Sequence, residues 1–262
     1  MAKFVPPTRF PDAATVQYSR DMKKMVRELR KTVLRVFDDD IGPAVLQYQR
    51  GLKQDALRND GPLDVISRAL QLIRGLSLGI FSNAAVEQAA SRFLYTVNEF
   101  SATQAREQGA IKSIDPTVNE PWLDEFIRSA IRENVGYIQK LPADHLSAIE
   151  SIVYQGTKNG TSTKEIRQQI VAQAGVTENR AEFIAVDQAG SVFGQMTARR
   201  HIEMGAPKFR WKSSKDERVR ERHRELDGQV FSYEDPPAEG LPGTPFRCRC
   251  VAQAVFDDEE DA

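Results

Sequence analysis

The sequence predicts an α+β protein. A mostly helical N-terminal bundle spans residues 1–155, a smaller α+β domain with a few short antiparallel strands spans 156–256, and an acidic tail covers 257–262. Three observations carry this expectation. Apolar residues recur at spacings of three and four through the first 155 residues, the period of one helix face. At Lys208-Phe-Arg-Trp-Lys212 the period drops to two, basic alternating with aromatic, as on a half-buried strand. Residues 236–245 then hold four prolines and two glycines, which neither a helix nor a central strand accommodates.

In chain order, Pro6, Pro7 and Pro11 predict an extended arm over residues 1–15. From Tyr18 a helix follows, with Met22, Met25 or Val26, Leu29, Val33 and Val36 or Phe37 on one face, and Gly42-Pro43 should break or kink it. A second stripe runs through Leu63, Ile66, Leu70, Ile73 and Leu76 or Ser77, with Gly75 and Gly79 loosening its end. Asn83 reads as the N-cap of a third helix reaching about Arg106, and Asp115-Pro116 closes it. Pro121 suits the first turn of a helix to Gln139, and a shorter helix is expected from Pro142 to Tyr154.

The stretch Gln155–Gly160 is the clearest break in the middle of the chain. Ser162-Thr-Lys-Glu165 is a capping box starting a helix that ends near Gly175, and Thr177 caps a longer one to Met204, stopped by Gly205-Ala-Pro207. Gly190 and Gly194 either admit another backbone or are tolerated gaps. After the strand at 208–212, Ser214-Lys-Asp-Glu217 is a second capping box for a helix to Leu226. Asp227-Gly228 turns the chain into Gln229–Tyr233, and Arg247–Phe256 is a closing strand.

Charge is uneven. The whole chain has a net charge of −1, with 28% charged and 40% hydrophobic residues, a mix that excludes wholesale disorder. Residues 199–224 carry 10 basic and 4 acidic side chains, whereas 225–262 carry 2 basic and 10 acidic. Arg199, Arg200, Lys208, Arg210, Lys212 and Lys215 in the basic block are candidate contacts to nucleic acid or to an acidic partner. Two cysteines exclude a disulfide scaffold and fit a reducing compartment. No apolar run reaches the ~18 residues of a membrane span, and the first 20 residues lack the continuous apolar stretch of a secretory signal.

On a helix over 215–226, Asp216, Arg220, His223 and Asp227 share one narrow stripe, and Asp216 is placed to pair with Arg220. Either this stripe is a polar network tying the helix to the proline-rich loop and the last strand, or His223 joins Cys248 and Cys250 as a zinc set, with Asp216 or Asp227 as fourth ligand. In a straight strand, residues two apart lie about 6.6 Å from one another, too far for two thiolates on one ion, so the zinc reading requires a bulge or tight turn at Arg249. Other enzyme signals are thin. His145, His201 and His223 share no metal-ligand spacing, Gly240-Leu-Pro-Gly243 is too rigid for a phosphate loop, and no Gly-x-Ser-x-Gly occurs. No catalytic residues are assigned.

The order Trp211-x-x-Ser-x-Asp216-Glu-Arg218-Val-Arg220-x-x-His223-x-x-Leu-Asp227-Gly228, then Leu241-Pro-Gly243, then Cys248-Arg-Cys250, resembles the phage Mu F-like head morphogenesis (minor capsid) family. Asn179–Gln188 resembles that family's preceding helix, and the likeness covers about residues 156–255. The resemblance implies a minor head protein of a tailed phage, without established catalysis. It implies a portal and capsid as partners, packaged DNA as a further one, and passage into the host with that DNA. It places the protein in the virion head, near the portal, after assembly in the host cytoplasm. It makes Trp211, Asp216, Arg218, Arg220, His223, Asp227 and Gly228 an architectural network. The reading from a different class is a zinc-dependent nucleic-acid-processing enzyme centred on His223, Cys248 and Cys250. The first reading implies no cofactor beyond a structural zinc.

Overall fold

A computed structural model describes residues 5–53 and 61–256; the acidic tail expected at 257–262 lies outside the described residues. The chain runs α1 (Asp12–Val36), a five-residue π-turn (Phe37–Ile41), α2 (Gly42–Lys53), α3 (Gly61–Ile80), α4 (Asn83–Gly109), α5 (Leu123–Lys158), α6 (Thr163–Glu203), β1 (Lys208–Lys212), α7 (Glu221–Leu226), β2 (Val230–Ser232) and β3 (Val251–Val255). The fold is α+β, as the change of period predicts. No single helix among the described residues is long and apolar enough to cross a membrane.

These elements form two compact units interleaved along the sequence. One gathers the described residues of Met1–Ser19, Ala90–Asn134 and Phe183–Ala262; the other is Arg20–Ala89 with Val135–Glu182. Compactness thus groups the arm and most of α4 with the C-terminal sheet.

Among the described residues of the unit Arg20–Ala89 and Val135–Glu182, every regular element is a helix. Met22, Val26, Leu29, Val33 and Phe37 are all buried, as the α1 stripe predicts, together with Ile66 and Ile73 of α3 and Ile138, Ile149 and Val153 of α5. Gly42-Pro43 kinks the helix without breaking it. Pro43 has no N–H to give, and the Gly42 amide reaches back to the Phe37 carbonyl, inserting the π-turn that carries α1 into α2. Surface ion pairs join Lys23 to Glu182 (2.6 Å), Arg27 to Glu178 (2.8 Å) and Arg167 to Asp38 (2.9 Å).

Two helix breaks expected from the sequence are absent. α5 runs through Pro142 to Lys158, so 121–139 and 142–154 are one helix. Ile138, Leu141, Leu146 and Ile149 are buried on either side of the proline, and that packing outweighs the lost hydrogen bond. α6 likewise continues past Gly175, and Thr177 donates its hydroxyl to the Gln173 carbonyl within the helix (3.1 Å) instead of capping a new one. The Ser162 cap is present, accepting from the Glu165 amide at 3.2 Å. At α4 the capping oxygen is Ser82, which accepts from the Ala85 amide (3.4 Å); Asn83 Oδ1 instead accepts from Gln139.

In the other unit the sheet has the order β2-β1-β3, antiparallel throughout. Lys208 pairs with Ser232 and Val255, and Lys212 with Val251. Phe209 and Trp211 are fully buried while the intervening basic residues point away, as period two predicts. The helix expected over 215–226 is confined to Glu221–Leu226, because Lys215 sits at φ +56°, a left-handed conformation that no α-helix contains. The closing strand is likewise shorter than expected and starts at Val251. The arm is extended only to Pro11, since α1 begins at Asp12. It is held on two sides: the Thr8 amide donates to Gln253 of β3 (2.8 Å) and the Arg9 amide to Gln104 of α4 (2.6 Å).

Candidate functional site

The site is assembled around β1. Gly228, at φ +85°, sends the chain back from α7 so that its amide donates to the Trp211 carbonyl (2.8 Å), and the Trp211 amide donates to Gln229 (2.9 Å). Asp227 accepts from the Ser213 amide at 2.8 Å, so it is a strut between the two ends of this excursion. With α7 fixed in this way, His223 lies edge-on to the Trp211 ring, centroids 5.3 Å apart.

The two cysteines reach the same place from the other side. Arg247 adopts φ +53° and donates its amide to Asp187 of α6 (2.9 Å), and the Cys248 amide donates to Pro245 (2.9 Å). The hydrogen-bonded turn is Pro245–Cys248, ahead of the cysteines and not at Arg249 as the zinc reading required. Cys248–Cys250 nevertheless lie outside β3, so straight-strand spacing does not hold the two sulfurs apart, and the Cys250 amide donates to Cys248 Sγ (3.4 Å). Of the two alternatives for Gly190 and Gly194, close approach is the one realised. A Cβ on Gly190 would stand 2.5 Å from the Cys248 carbonyl oxygen, and one on Gly194 2.4 Å from that of Pro242.

The outcome is a buried cluster. Cys248 Sγ lies 3.5 Å and Cys250 Sγ 3.6 Å from His223 Nδ1, and the three ligand atoms lie within 4.8 Å of one another. A hydrogen bond from the Cys250 thiol draws the Cys248 thiol down to about 6, helped by backbone amides and opposed by burial. Cys250 is correspondingly raised, as the proton donor of the pair and through burial. The buried Trp211 Nε1 has no partner within hydrogen-bond distance and favours the Cys250 thiolate.

These three side chains border a cleft of about 250 Å³ whose rim carries Arg218, Arg220, Arg247 and Arg249 beside one acid, Asp216. The expected Asp216–Arg220 pair is not formed, because these residues lie before the helix. Asp216 is bound to Arg249 (3.1 Å) and to the Arg218 amide (3.0 Å), and Arg220 donates to the Phe246 carbonyl (2.6 Å). Neither Asp216 nor Asp227 joins the cluster of potential ligands.

The basic block divides into different environments. Arg200 leaves the list of surface contacts: it is fully buried and holds Glu120 through two bonds (2.7 and 3.1 Å), with Asn98 as a further acceptor. The signal for this was in the sequence, since Val192, Phe193, Met196 and Thr197 precede it at helical spacing and are all buried. Arg199 is exposed and lies over the Trp122 ring at 4.9 Å. Arg210 donates to the Gly228 carbonyl (2.8 Å), Lys208 is half-buried, and Lys212 and Lys215 are exposed. A second polar network went unread in the sequence. His201 accepts from Tyr233 Oη (2.6 Å) and donates to Gln108 (3.0 Å), and Gln108 in turn donates to Thr8 and to the Pro6 carbonyl.

The chain is similar to an uncharacterized protein of Haemophilus influenzae, 28% identical over 255 residues, a stretch covering 97% of this chain and 56% of that relative. The chain thus spans little more than half of that relative's length. No solved structure matches it. A family model described as Phage Mu protein F like protein matches residues 147–253, from within α5 into β3, and encloses Trp211, His223 and both cysteines. Residues 147–253 are therefore similar to the Phage Mu protein F like family, the family that the signature residues resemble.

Proposed function

We propose that this protein is a minor head morphogenesis protein of a tailed bacteriophage, which associates with the portal during procapsid assembly. The observation that carries the reading is the family match over residues 147–253. The geometry supports it: Gly228, Asp227, Asp187, Gly190 and Gly194 all serve to fix backbone around one buried centre, which is architectural work. Lys212 and Lys215, both exposed, supply the basic contact to an acidic portal surface, with packaged DNA as the weaker competitor for the same charges.

The test is to co-express the chain with its phage's capsid and portal proteins and to isolate procapsids by sedimentation. The expected result is incorporation into portal-containing shells and loss of incorporation when the portal is omitted. Equal incorporation without the portal would overturn the portal assignment, and absence from both kinds of shell would overturn the head role. A Lys212→Glu/Lys215→Glu variant is expected to be incorporated less, and emptied particles assayed after ejection show whether the chain leaves with the DNA.

A further inference from the structure

We propose that His223 Nδ1, Cys248 Sγ and Cys250 Sγ bind one Zn²⁺ ion whose fourth position opens onto the arginine-rimmed cleft and takes an oxygen ligand from outside the chain. The proposal rests on these three side chains and not on the portal role, so the two fail separately.

Distances favour a shared ion over a simple hydrogen-bonded trio. In a tetrahedral zinc site with Zn–S about 2.3 Å and Zn–N about 2.0 Å, the sulfur-to-nitrogen edge is about 3.5 Å. The two observed separations are 3.5 and 3.6 Å. A single Nδ1 offers either one lone pair or one N–H, which bonds well to one sulfur; near-equal separation from two sulfurs suits a body placed between all three atoms. The sulfur atoms are within 4.8 Å of one another, compatible with two corners of the same tetrahedron.

The surroundings are those of a thiolate site. The Cys250 amide donates to Cys248 Sγ, and the buried Trp211 N–H, which has no hydrogen-bond partner, favours negative charge on Cys250. His223, Cys248 and Cys250 are all buried, and the turn that leads into the cysteines is pinned at Arg247 by Asp187. On binding, Zn²⁺ displaces to solvent the protons that the two cysteines still hold, and two thiolates then balance the ion's charge while a ring-nitrogen lone pair of His223 completes the set.

Three protein ligands leave one position of the tetrahedron free, the pattern of a site that binds an external group. Asp216 is held by Arg249 and the Arg218 amide, and Asp227 by the Ser213 amide, so neither fills it. The free position faces Arg218, Arg220, Arg247 and Arg249, which select an anionic oxygen: a phosphate or a carboxylate in place of water.

The experiment uses the full chain, purified under reducing conditions, loaded with excess zinc and then gel-filtered. About one zinc per chain is expected, and less than about 0.2 per chain would overturn the site. Replacing zinc with Co²⁺ should give thiolate-to-cobalt charge-transfer absorption, reduced to about half in Cys250→Ser, which keeps the other thiolate. Full zinc content and unchanged cobalt absorption in Cys250→Ser would overturn the ligand assignment. Should that variant fail to fold, protection of both cysteines from alkylation by zinc in the unaltered chain replaces it, and equal alkylation with and without zinc overturns the proposal. Titrating inorganic phosphate into the cobalt protein should shift its visible bands, and bands indifferent to phosphate would overturn the open position.

Discussion

Gly190 lies against Cys248: a Cβ added to the glycine would stand 2.5 Å from the Cys248 carbonyl oxygen and 2.6 Å from that of Gly243. Both obstacles are backbone, which cannot swing aside as a long side chain does. Gly190→Ala is therefore expected to lower the stability of this unit by about 2–3 kcal/mol in chemical denaturation. Gly194→Ala should behave alike, with Pro242 as the obstacle. The control is Gly75→Ala in α3, where nothing lies within 4 Å; the same change should stabilise by about 0.5–1 kcal/mol.

Arg200 and Glu120 form a buried ion pair, with side chains 0% and 8% exposed. Arg200→Ala leaves the carboxylate buried without its partner and should cost about 3–5 kcal/mol, whereas an Arg200→Met/Glu120→Met double variant should recover most of that loss. Thermal melts of the three proteins check both statements. A double variant as unstable as the single one would show that the pair itself, and not the stranded charge, holds the structure.

Two buried histidines should weaken the fold in acid. Burial lowers His145 to about 4 and His201 to about 3, from an ordinary value of 6.5. Below pH 6.5 the unfolded chain takes up protons that the folded chain refuses. Stability is therefore fully present above that value and is lost as the pH falls toward 4 and then 3, by on the order of 3 kcal/mol for each residue. The reason is visible at His145, whose buried Nε2 has no partner to receive a new N–H. Urea midpoints measured from pH 7 to 4 should fall steadily, and His201→Gln should flatten the curve.

Gln253 holds the arm twice, accepting from the Thr8 amide (2.8 Å) and donating to the Pro6 carbonyl (2.9 Å). Gln253→Ala should cost about 1–2 kcal/mol and make the peptide bonds near residues 6–9 accessible to limited proteolysis. Unchanged cleavage would show that Gln104 and Gln108 of α4 suffice to retain the arm.

Much of this molecule is legible along the chain. The buried face of α1, the strand at 208–212 and the cap at Ser162 follow from local period and local hydrogen bonding, which the sequence displays directly. Pro142 and Thr177 mislead because their local cost is smaller than the tertiary burial around them. The Ser214-Lys-Asp-Glu217 box misleads for a related reason: Lys215 turns left-handed, and Asp216 is drawn to Arg249, 33 residues away. Of the candidate site, His223, Cys248 and Cys250 are recognisable by chemistry, but their convergence depends on φ at Arg247 and on Asp187 of a distant helix. The arginine rim and the Gln108–His201–Tyr233 network combine residues far apart in sequence, and no spacing rule brings them together.

The arm's anchorage also fixes an order of events during synthesis. Thr8 bonds to Gln253, a separation of 245 residues, so the arm cannot dock until β3 has been made. The unit made of Arg20–Ala89 and Val135–Glu182 has all its residues once position 182 has emerged, whereas the sheet-containing unit lacks β3 until 255. The helical unit is thus free to fold on the nascent chain, and the sheet, the cysteine pair and the docked arm come together only after it.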